Sequence, residues 1–349
     1  MNQQMNVLFI GLGGIGQRHL RILNELFPEY KITAYRKNKR TFEICDNLKI
    51  NKRVNIEDKY SIISFNSIDQ ALKSSPDFAI VSNPTSLHVS TALQLAKEKI
   101  PILIEKPLSD STEGLDELVH LSEVNNTFIM VGYMMRFNPC AKLLKQYIDD
   151  GALGRIYNII INVNSYMPSW HEYEDYKEFY AGRKDLGGGV ILTEIHEIDL
   201  LHWFFGPPIR VTAIGGKMSN LDIEVEDTVS VIMEQNHNKH TFPISINMSF
   251  VQKTPLRDFL ILGEYGQLKW NILSNDLVFN DYEHDQHNKH VFPNFDRNDM
   301  FRDQMNHFIE CLNNKKSPIT EIKKIMGGHK TALAIKESMG KKEFTFLEP

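Results

Sequence analysis

Lys106 stands between Glu105 and Pro107 in the stretch Pro101-Ile-Leu-Ile-Glu-Lys-Pro-Leu108. Four residues of this stretch read as a buried strand, which delivers Glu105, Lys106 and Pro107 at its end. A lysine held in an apolar cleft loses hydration, its pKa falls, and it can exchange a proton near neutral pH. Lys106 is therefore the candidate proton donor and acceptor, against the plainer reading of a surface lysine after an edge strand. His196 is the second candidate. It follows Gly187-Gly-Gly189 on a helix expected over 192–205, and Asp199 lies three residues on, on the same face. His202, six beyond His196, is expected to pack elsewhere. An aromatic-rich insert, Tyr166 to Tyr180, precedes them and carries Trp170 and His171. Rings edged by hydroxyl, indole and carboxyl groups suit a sugar, whose faces are apolar and whose rim is hydroxyls. The same insert would also serve as a lid or a subunit contact.

The elements that must position these groups begin with Val7–Ile10, a short apolar run read as a buried parallel strand. It feeds into Gly11-Leu-Gly13-Gly14-Ile15-Gly16 and then a helical pattern of Ile15, His19, Ile22, Leu23 and Leu26. Strand, GxGxxG, helix is the dinucleotide fingerprint in its required context. Gly11 permits the tight turn, Gly13 lets the backbone approach a pyrophosphate, and Gly16 lets helix and strand pack closely. Gly14 and Ile15 open the helix, whose free N–H groups and positive dipole end face the phosphates. A second strand is expected at Lys31–Tyr35. An NAD-preferring site usually has an acid at its end, but here the run is Tyr35-Arg36-Lys37-Asn38-Lys39-Arg40. Positive charge at that place favours a 2′-phosphate, so NADP(H) is the favoured cofactor and NAD(H) a possible one.

Further strands at 77–82, 102–105 and 128–131 alternate with helices at 86–99 and 112–124, which indicates a doubly wound parallel sheet. Ligands of such a sheet sit beyond the strand carboxyl ends. Gly11, Asn83, Lys106 and Tyr133 all follow strands, so all should line one edge. A chain of 349 residues exceeds one core and implies two domains. The expected division is 1–136, the dinucleotide-binding domain, and 137–349, a domain for substrate and oligomerisation. In the latter, strands expected at 155–165, 209–216, 228–235, 241–250, 257–262, 267–273 and 276–280 form a mostly antiparallel α+β sheet, and helices return at 298–313 and 319–336.

The composition excludes several classes. A net charge of −5 offers no basic field to nucleic acid or an anionic membrane. Three scattered cysteines without a CxxC pair suit a reducing cytoplasm rather than a disulfide scaffold. The first residues lack the build of a signal peptide, and no apolar run is long enough for a membrane span. His284, His287 and His290 are spaced as zinc ligands could be, but no apolar scaffold surrounds them. They read as a polar excursion between strands, and no metal is expected.

The motifs GLGGIGQRH at 11–19, NPTSLH at 83–88, ILIEKPL at 102–108, VGYMMRFNP at 131–139 and GGGVILTEIHEIDLLHWFFG at 187–206 resemble those of the glucose-fructose oxidoreductase / inositol dehydrogenase (Gfo/Idh/MocA) family. The resemblance implies an α/β chain with an N-terminal Rossmann domain and a C-terminal α+β domain with an open, mostly antiparallel sheet. It implies NAD(P)-dependent oxidation or reduction of a sugar, sugar nucleotide or polyol, with pairing into a homodimer or homotetramer through that sheet. It places the catalytic lysine at Lys106, before a proline commonly cis, and the catalytic histidine at His196. It puts Asn83 and Pro84 on the nicotinamide side; Tyr35, Arg36, His88, Glu105 and Lys106 are further candidates for cofactor binding. Tyr133, Arg136, Trp170, His171, Glu194 and Asp199 are the candidate substrate residues. One departure matters: the Asp that many members carry four residues before the histidine is Leu192 here. Counted from the triple glycine, its place falls to Thr193, with Glu194 beside it. Lys106 and His196 then suffice, or Glu194 or Asp199 contributes, or the chemistry is lost. An NAD-dependent glycosidase and a non-catalytic nucleotide sensor are the alternative readings.

Overall fold

The computed structural model describes residues 4–37, 40–171 and 173–347. Asn38 and Lys39 of the basic run, Glu172 of the insert and the first three residues lie outside them. The chain divides into two compact units, one of residues 1–132, 171–175 and 301–324, the other of 133–170, 176–300 and 325–349. The first unit thus differs from the continuous 1–136 segment expected from sequence, because two distant stretches join it.

In the first unit the elements are β1 (Asn6–Ile10), α1 (Gly14–Leu26), β2 (Lys31–Tyr35), β3 (Phe42–Ile44), β4 (Ile50–Asn55), α2 (Ile56–Lys59), β5 (Ile63–Phe65), α3 (Ile68–Leu72), β6 (Phe78–Val81), α4 (His88–Lys97), β7 (Ile102–Ile104), α5 (Leu115–Val124) and β8 (Ile129–Val131). Six strands form a sheet in the order β5-β2-β1-β6-β7-β8, and each neighbouring pair is parallel. β6, β7 and β8 are buried along their whole length, as continuous Val/Ile/Leu runs covered on both faces should be. β3 and β4 form a small hairpin of their own. The sheet order reverses beside β1, so the glycine turn after β1 lies at the topological switch point, where such folds bind ligands.

The second unit begins with α6 (Pro139–Asp149), β9 (Ile156–Tyr166), α7 (Val190–Thr193) and α8 (His196–Phe205). It continues through β10 (Arg210–Gly216), β11 (Thr228–His237), β12 (His240–Ser249), β13 (Val251–Gly263), β14 (Gly266–Asn271), β15 (Asp276–Asp281) and β16 (Gln286–Val291). The chain ends with α9 (Arg297–Asn314), α10 (Ile322–Lys341) and β17 (Thr345–Phe346), of which residues 301–324 count with the first unit. Nine strands form one open sheet, β16-β15-β14-β13-β9-β12-β11-β10-β17. Its pairs are antiparallel except β9 with β12. β11 alternates buried and exposed residues, with Val229, Val231 and Met233 inward, the pattern of a sheet with one face on a core.

Two expectations are corrected. The helix expected over 192–205 is broken: α7 ends at Thr193, Glu194 leaves helical geometry at φ −98°, ψ 35°, and α8 starts at His196. The segment 284–290, read as a polar excursion, is largely the edge strand β16 paired with β15. It has no buried apolar face, so no alternation marked it. His284 bonds Asp281, His287 bonds Asn280 and His290 bonds Tyr147, each apart from the others. Among the described residues no group of three or more His, Cys, Asp or Glu could hold a metal ion, and no helix is long and apolar enough to cross a membrane.

Candidate functional site

The first unit presents a dinucleotide cradle built from backbone. Gly11 has φ +93°, and a Cβ there would lie 2.8 Å from Ser82 O and 2.9 Å from Asn83 N. Only glycine suits this place. The N–H of Gly11 donates to the Tyr35 carbonyl at 3.2 Å, tying the turn to the end of β2. A Cβ on Gly16 would lie 2.5 Å from Gly11 O and 2.6 Å from Ser82 Oγ, so that glycine lets helix and strand touch. Around Gly13 nothing stands within 4 Å of a Cβ. Gly13 is exposed, Gly14 and Ile15 are half-buried, and α1 has no side-chain cap. An uncapped helix start behind an open glycine is what a pyrophosphate requires. These residues fit a dinucleotide.

Beside the turn, Asn83 donates through Nδ2 to Thr91 Oγ1 at 3.0 Å, while its Oδ1 is buried without a bond. A buried orphan acceptor fits a ligand that brings an N–H. Pro84 is half-buried and starts the turn Thr85–Leu87 that leads into α4. Lys106 is half-buried at the end of β7, and the Lys106–Pro107 peptide is cis.

His88 and Glu105 brace the turns that carry Asn83 and Lys106. The ring of His88 is buried, with Nδ1 2.7 Å from the Pro107 carbonyl oxygen and Nε2 2.9 Å from that of Asn83. It ties the Asn83 turn to the Lys106 turn, and both nitrogens face the backbone rather than a ligand. Burial lowers its pKa against the pull of the two carbonyls. Glu105 is buried and lies 2.6 Å from His19 Nε2, and it accepts the Lys106 N–H at 3.2 Å. Burial alone would raise its pKa, but His19 and Lys106 outweigh that and hold the carboxyl below its ordinary value. Glu105 therefore orients the backbone from which Lys106 projects. Gly132 leaves room for it, since a Cβ there would lie 3.1 Å from Glu105 Oε1.

Arg36 is not an open positive charge at the end of β2. Its guanidinium is buried, ion-paired with Glu57 of α2 and donating to the Arg40 carbonyl at 2.9 Å. Tyr35 is half-buried at the strand end. Arg40 itself pairs with Glu174 at 3.0 Å.

In the second unit, His196 and Asp199 lie on one face of α8, as their spacing requires, and both meet the turn 133–136. The Tyr133 and His196 rings are edge to face with centroids 6.1 Å apart. Asp199 takes Arg136 in a bidentate pair, Nε to Oδ2 at 2.9 Å and Nη2 to Oδ1 at 2.7 Å, with both side chains almost wholly buried. Burial pushes the Asp199 carboxyl above its ordinary value while Arg136 pulls it back. The pair thus satisfies itself inside the unit. Tyr133 is fully buried, its hydroxyl takes no bond from the described residues, and burial raises its pKa well above the usual tyrosine value, so it stays protonated. His202 packs elsewhere, as expected: a Cβ on Gly328 of α10 would lie 3.2 Å from His202 Cβ.

Arg257 of β13 anchors the break between α7 and α8, donating to Glu197 at 2.6 Å and lying 3.6 Å from Glu194. Glu197 is fully buried, whereas Glu194 keeps 14% of its side chain exposed. Of the acids beside His196, Glu194 is the one that retains access. Trp170 is half-buried, donates its indole N–H to Ser165 Oγ at 3.1 Å and meets Phe250 edge-on at 5.1 Å. Its ring packs the insert. His171 lies against Tyr173 in the first unit, with ring centroids 4.9 Å apart. The hydroxyl of Tyr173 would lie 2.5 Å from a Cβ on Gly14, placing this residue at the glycine turn. Tyr173, His19 and Glu57 were not among the sequence candidates. His19 carried a signal as the last residue of the first motif and Tyr173 as a member of the aromatic insert, whereas Glu57 carried none. A charged cleft of the second unit, lined by Lys177, Glu178, Arg183, Asp185 and Asp222, contains none of the candidate residues.

A six-stranded parallel sheet with a glycine turn at its switch point defines a Rossmann-type nucleotide-binding unit. The chain belongs to the Gfo/Idh/MocA oxidoreductases. Residues 5–133 match the model of the oxidoreductase family with an NAD-binding Rossmann fold, and residues 141–269 match the GFO/IDH/MocA C-terminal domain. Among curated proteins, the 2,7-anhydro-N-acetylneuraminate hydratase of Mediterraneibacter gnavus is 25% identical over 194 residues, 54% of this chain and 50% of that protein. The inositol 2-dehydrogenase of Rubrobacter xylanophilus is 24% identical over 218 residues, 62% of this chain and 56% of that protein. The matched stretch spans about half the length of these relatives. Among solved structures, the WlbA dehydrogenase of Bordetella pertussis in complex with NADH and UDP-GlcNAcA has the same fold. Its TM-score is 0.80 at 20% identity, covering 99% of this chain and 100% of that one.

Proposed function

We propose that the chain is a nicotinamide-dependent dehydrogenase of a sugar, sugar nucleotide or polyol. The observation that carries this reading is the joint presence, in one unit, of an uncapped glycine turn and a half-buried lysine braced by the Glu105–His19 pair. Relatives named as inositol and sugar-nucleotide dehydrogenases support it.

Gly11, Gly13, Gly14 and Ile15 would hold the pyrophosphate, and Asn83 would accept a hydrogen bond through its orphan Oδ1. Bound nicotinamide supplies the site with hydride acceptance and donation. Lys106 takes or returns the proton of the reacting hydroxyl. His196 is assigned a hydrogen bond to the substrate on the strength of the family resemblance, with its ring supported by Tyr133. Glu194 is the acid proposed to meet substrate hydroxyls in place of the missing Asp. Arg136 and Asp199 act through each other, holding the turn on which Tyr133 stands. The positive charge that favoured NADP(H) is present in Arg36, but Glu57 binds it, so NAD(H) is the proposed cofactor. Pairing of two copies through the open face of the large sheet is proposed from Ile214 and Ile232, which are 80% and 46% exposed on adjacent strands.

A relative named as a hydratase favours a second reading, in which the cofactor is reduced and reoxidised within one turnover. Stoichiometry separates the two. With a panel of sugars, polyols and sugar nucleotides, the dehydrogenase reading expects one reduced cofactor per oxidised product. Product formed without net NAD(P)H supports the second reading. A chain that binds the cofactor yet exchanges no hydride with any of them contradicts both.

A further inference from the structure

We infer that Glu57 decides which dinucleotide the first unit accepts, presenting a carboxylate that receives a free ribose 2′-hydroxyl and repels a 2′-phosphate. This rests on the proposed reading that the unit binds a nicotinamide dinucleotide.

The ribose end of such a site is the carboxyl end of β2. Here that end is bound to the glycine turn by the Gly11–Tyr35 hydrogen bond, and Arg36 is the next residue. By sequence the place is basic. By structure the buried Arg36 guanidinium is covered by an acid delivered from another element. The Arg36 side chain is 3% exposed and that of Glu57 is 28% exposed, so a ligand meets the carboxylate before the guanidinium. Glu57 is held in place twice. Asn55 caps α2 by accepting the Glu57 N–H at 3.0 Å, and Ser64 Oγ donates to Glu57 Oε1 at 2.5 Å. The bonds from Arg36 and Ser64 both fall on Oε1, and Oε2 takes none from the described residues. That leaves an acceptor for a hydroxyl.

A 2′-phosphate carries roughly −1.5 to −2 near neutral pH. To reach Arg36 it must displace Glu57 from a buried guanidinium or sit against a carboxylate, and like charges so placed are costly. The remaining described charges of the run do not gather to offset this. Lys37 is exposed, and Arg40 is held by Glu174. A ribose hydroxyl, in contrast, donates to Glu57 as it would to an acid at the strand end.

The test is the ratio of NADH to NADPH affinity, measured by titration of the full chain without substrate. The wild type is expected to favour NADH. Glu57→Gln keeps an oxygen for Arg36 and removes the charge, and it is expected to shift the ratio towards NADPH by at least about tenfold. Adding Arg36→Ala to that variant is expected to abolish the gain. A ratio unchanged by Glu57→Gln overturns the inference while leaving dinucleotide binding intact. Binding of neither nucleotide by the wild type overturns the inference together with the reading beneath it. Should Glu57→Gln fail to fold, competition on the wild type still decides: 5′-AMP must displace NADH more readily than adenosine 2′,5′-bisphosphate, and the opposite order overturns the inference.

Discussion

Lys106→Met keeps dinucleotide affinity and loses about 10²–10⁴-fold in the rate of hydride exchange, the range that a positioned general acid or base contributes. Methionine replaces the stem at similar length and removes the amine. The hydrogen bonds described at this turn are made by its backbone. Glu105 accepts the backbone N–H of Lys106, and His88 faces the carbonyl of Pro107. The cradle at Gly11 and Asn83 therefore stays in place while the proton has no carrier. Single-turnover cofactor absorbance, with affinity measured separately, distinguishes this from a folding defect. A variant that turns over at the wild-type rate refutes the assignment of Lys106. A variant that loses cofactor affinity in proportion to rate shows instead that the lysine serves binding.

Asp199→Ala destabilises the fold by about 3–5 kcal/mol, because it leaves the guanidinium of Arg136 buried without its counter-charge. Both oxygens of Asp199 are bonded to Arg136, and neither side chain has meaningful access to water. The cost falls on the turn that carries Tyr133 and on the face of α8 that carries His196. Replacing both partners, Arg136→Met with Asp199→Leu, restores much of the lost stability, since removing both charges avoids an orphan. Urea denaturation of the four chains measures the cycle. An Asp199→Ala chain within about 1 kcal/mol of wild type would show that the pair does not hold the turn.

Five of the six strands of the parallel sheet were legible because they are short apolar runs, each ending in a recognisable turn; the edge strand β5 was not, since Ile63 is 61% exposed and no buried run marks it. The glycine fingerprint was legible for the same reason: the steric demands on Gly11 and Gly16 admit almost no other residue. What sequence spacing could not show was the partner of each charged side chain. Arg36 reads as basic until Glu57, twenty-one residues on, is seen to hold it. Glu105 and His88 sit in ligand-bearing motifs, yet their polar atoms turn inward to His19 and to backbone carbonyls. The 192–205 helix seemed continuous because its apolar residues keep helical spacing. At the break Glu194 lies 3.6 Å from Arg257 of β13, a tertiary partner that a local pattern does not contain. β16 was missed because an edge strand of histidine, asparagine and lysine has no apolar face to alternate.

The central claim is that the Lys106 amine exchanges the proton of the reacting hydroxyl. A crystal of the ternary complex, with the dinucleotide and a sugar or sugar nucleotide identified from the panel, tests it most directly. Nζ of Lys106 is expected within about 2.6–3.2 Å of the hydroxyl whose carbon faces nicotinamide C4, directly or through one water. An amine turned to bulk solvent, with another protein group on that oxygen, would contradict it.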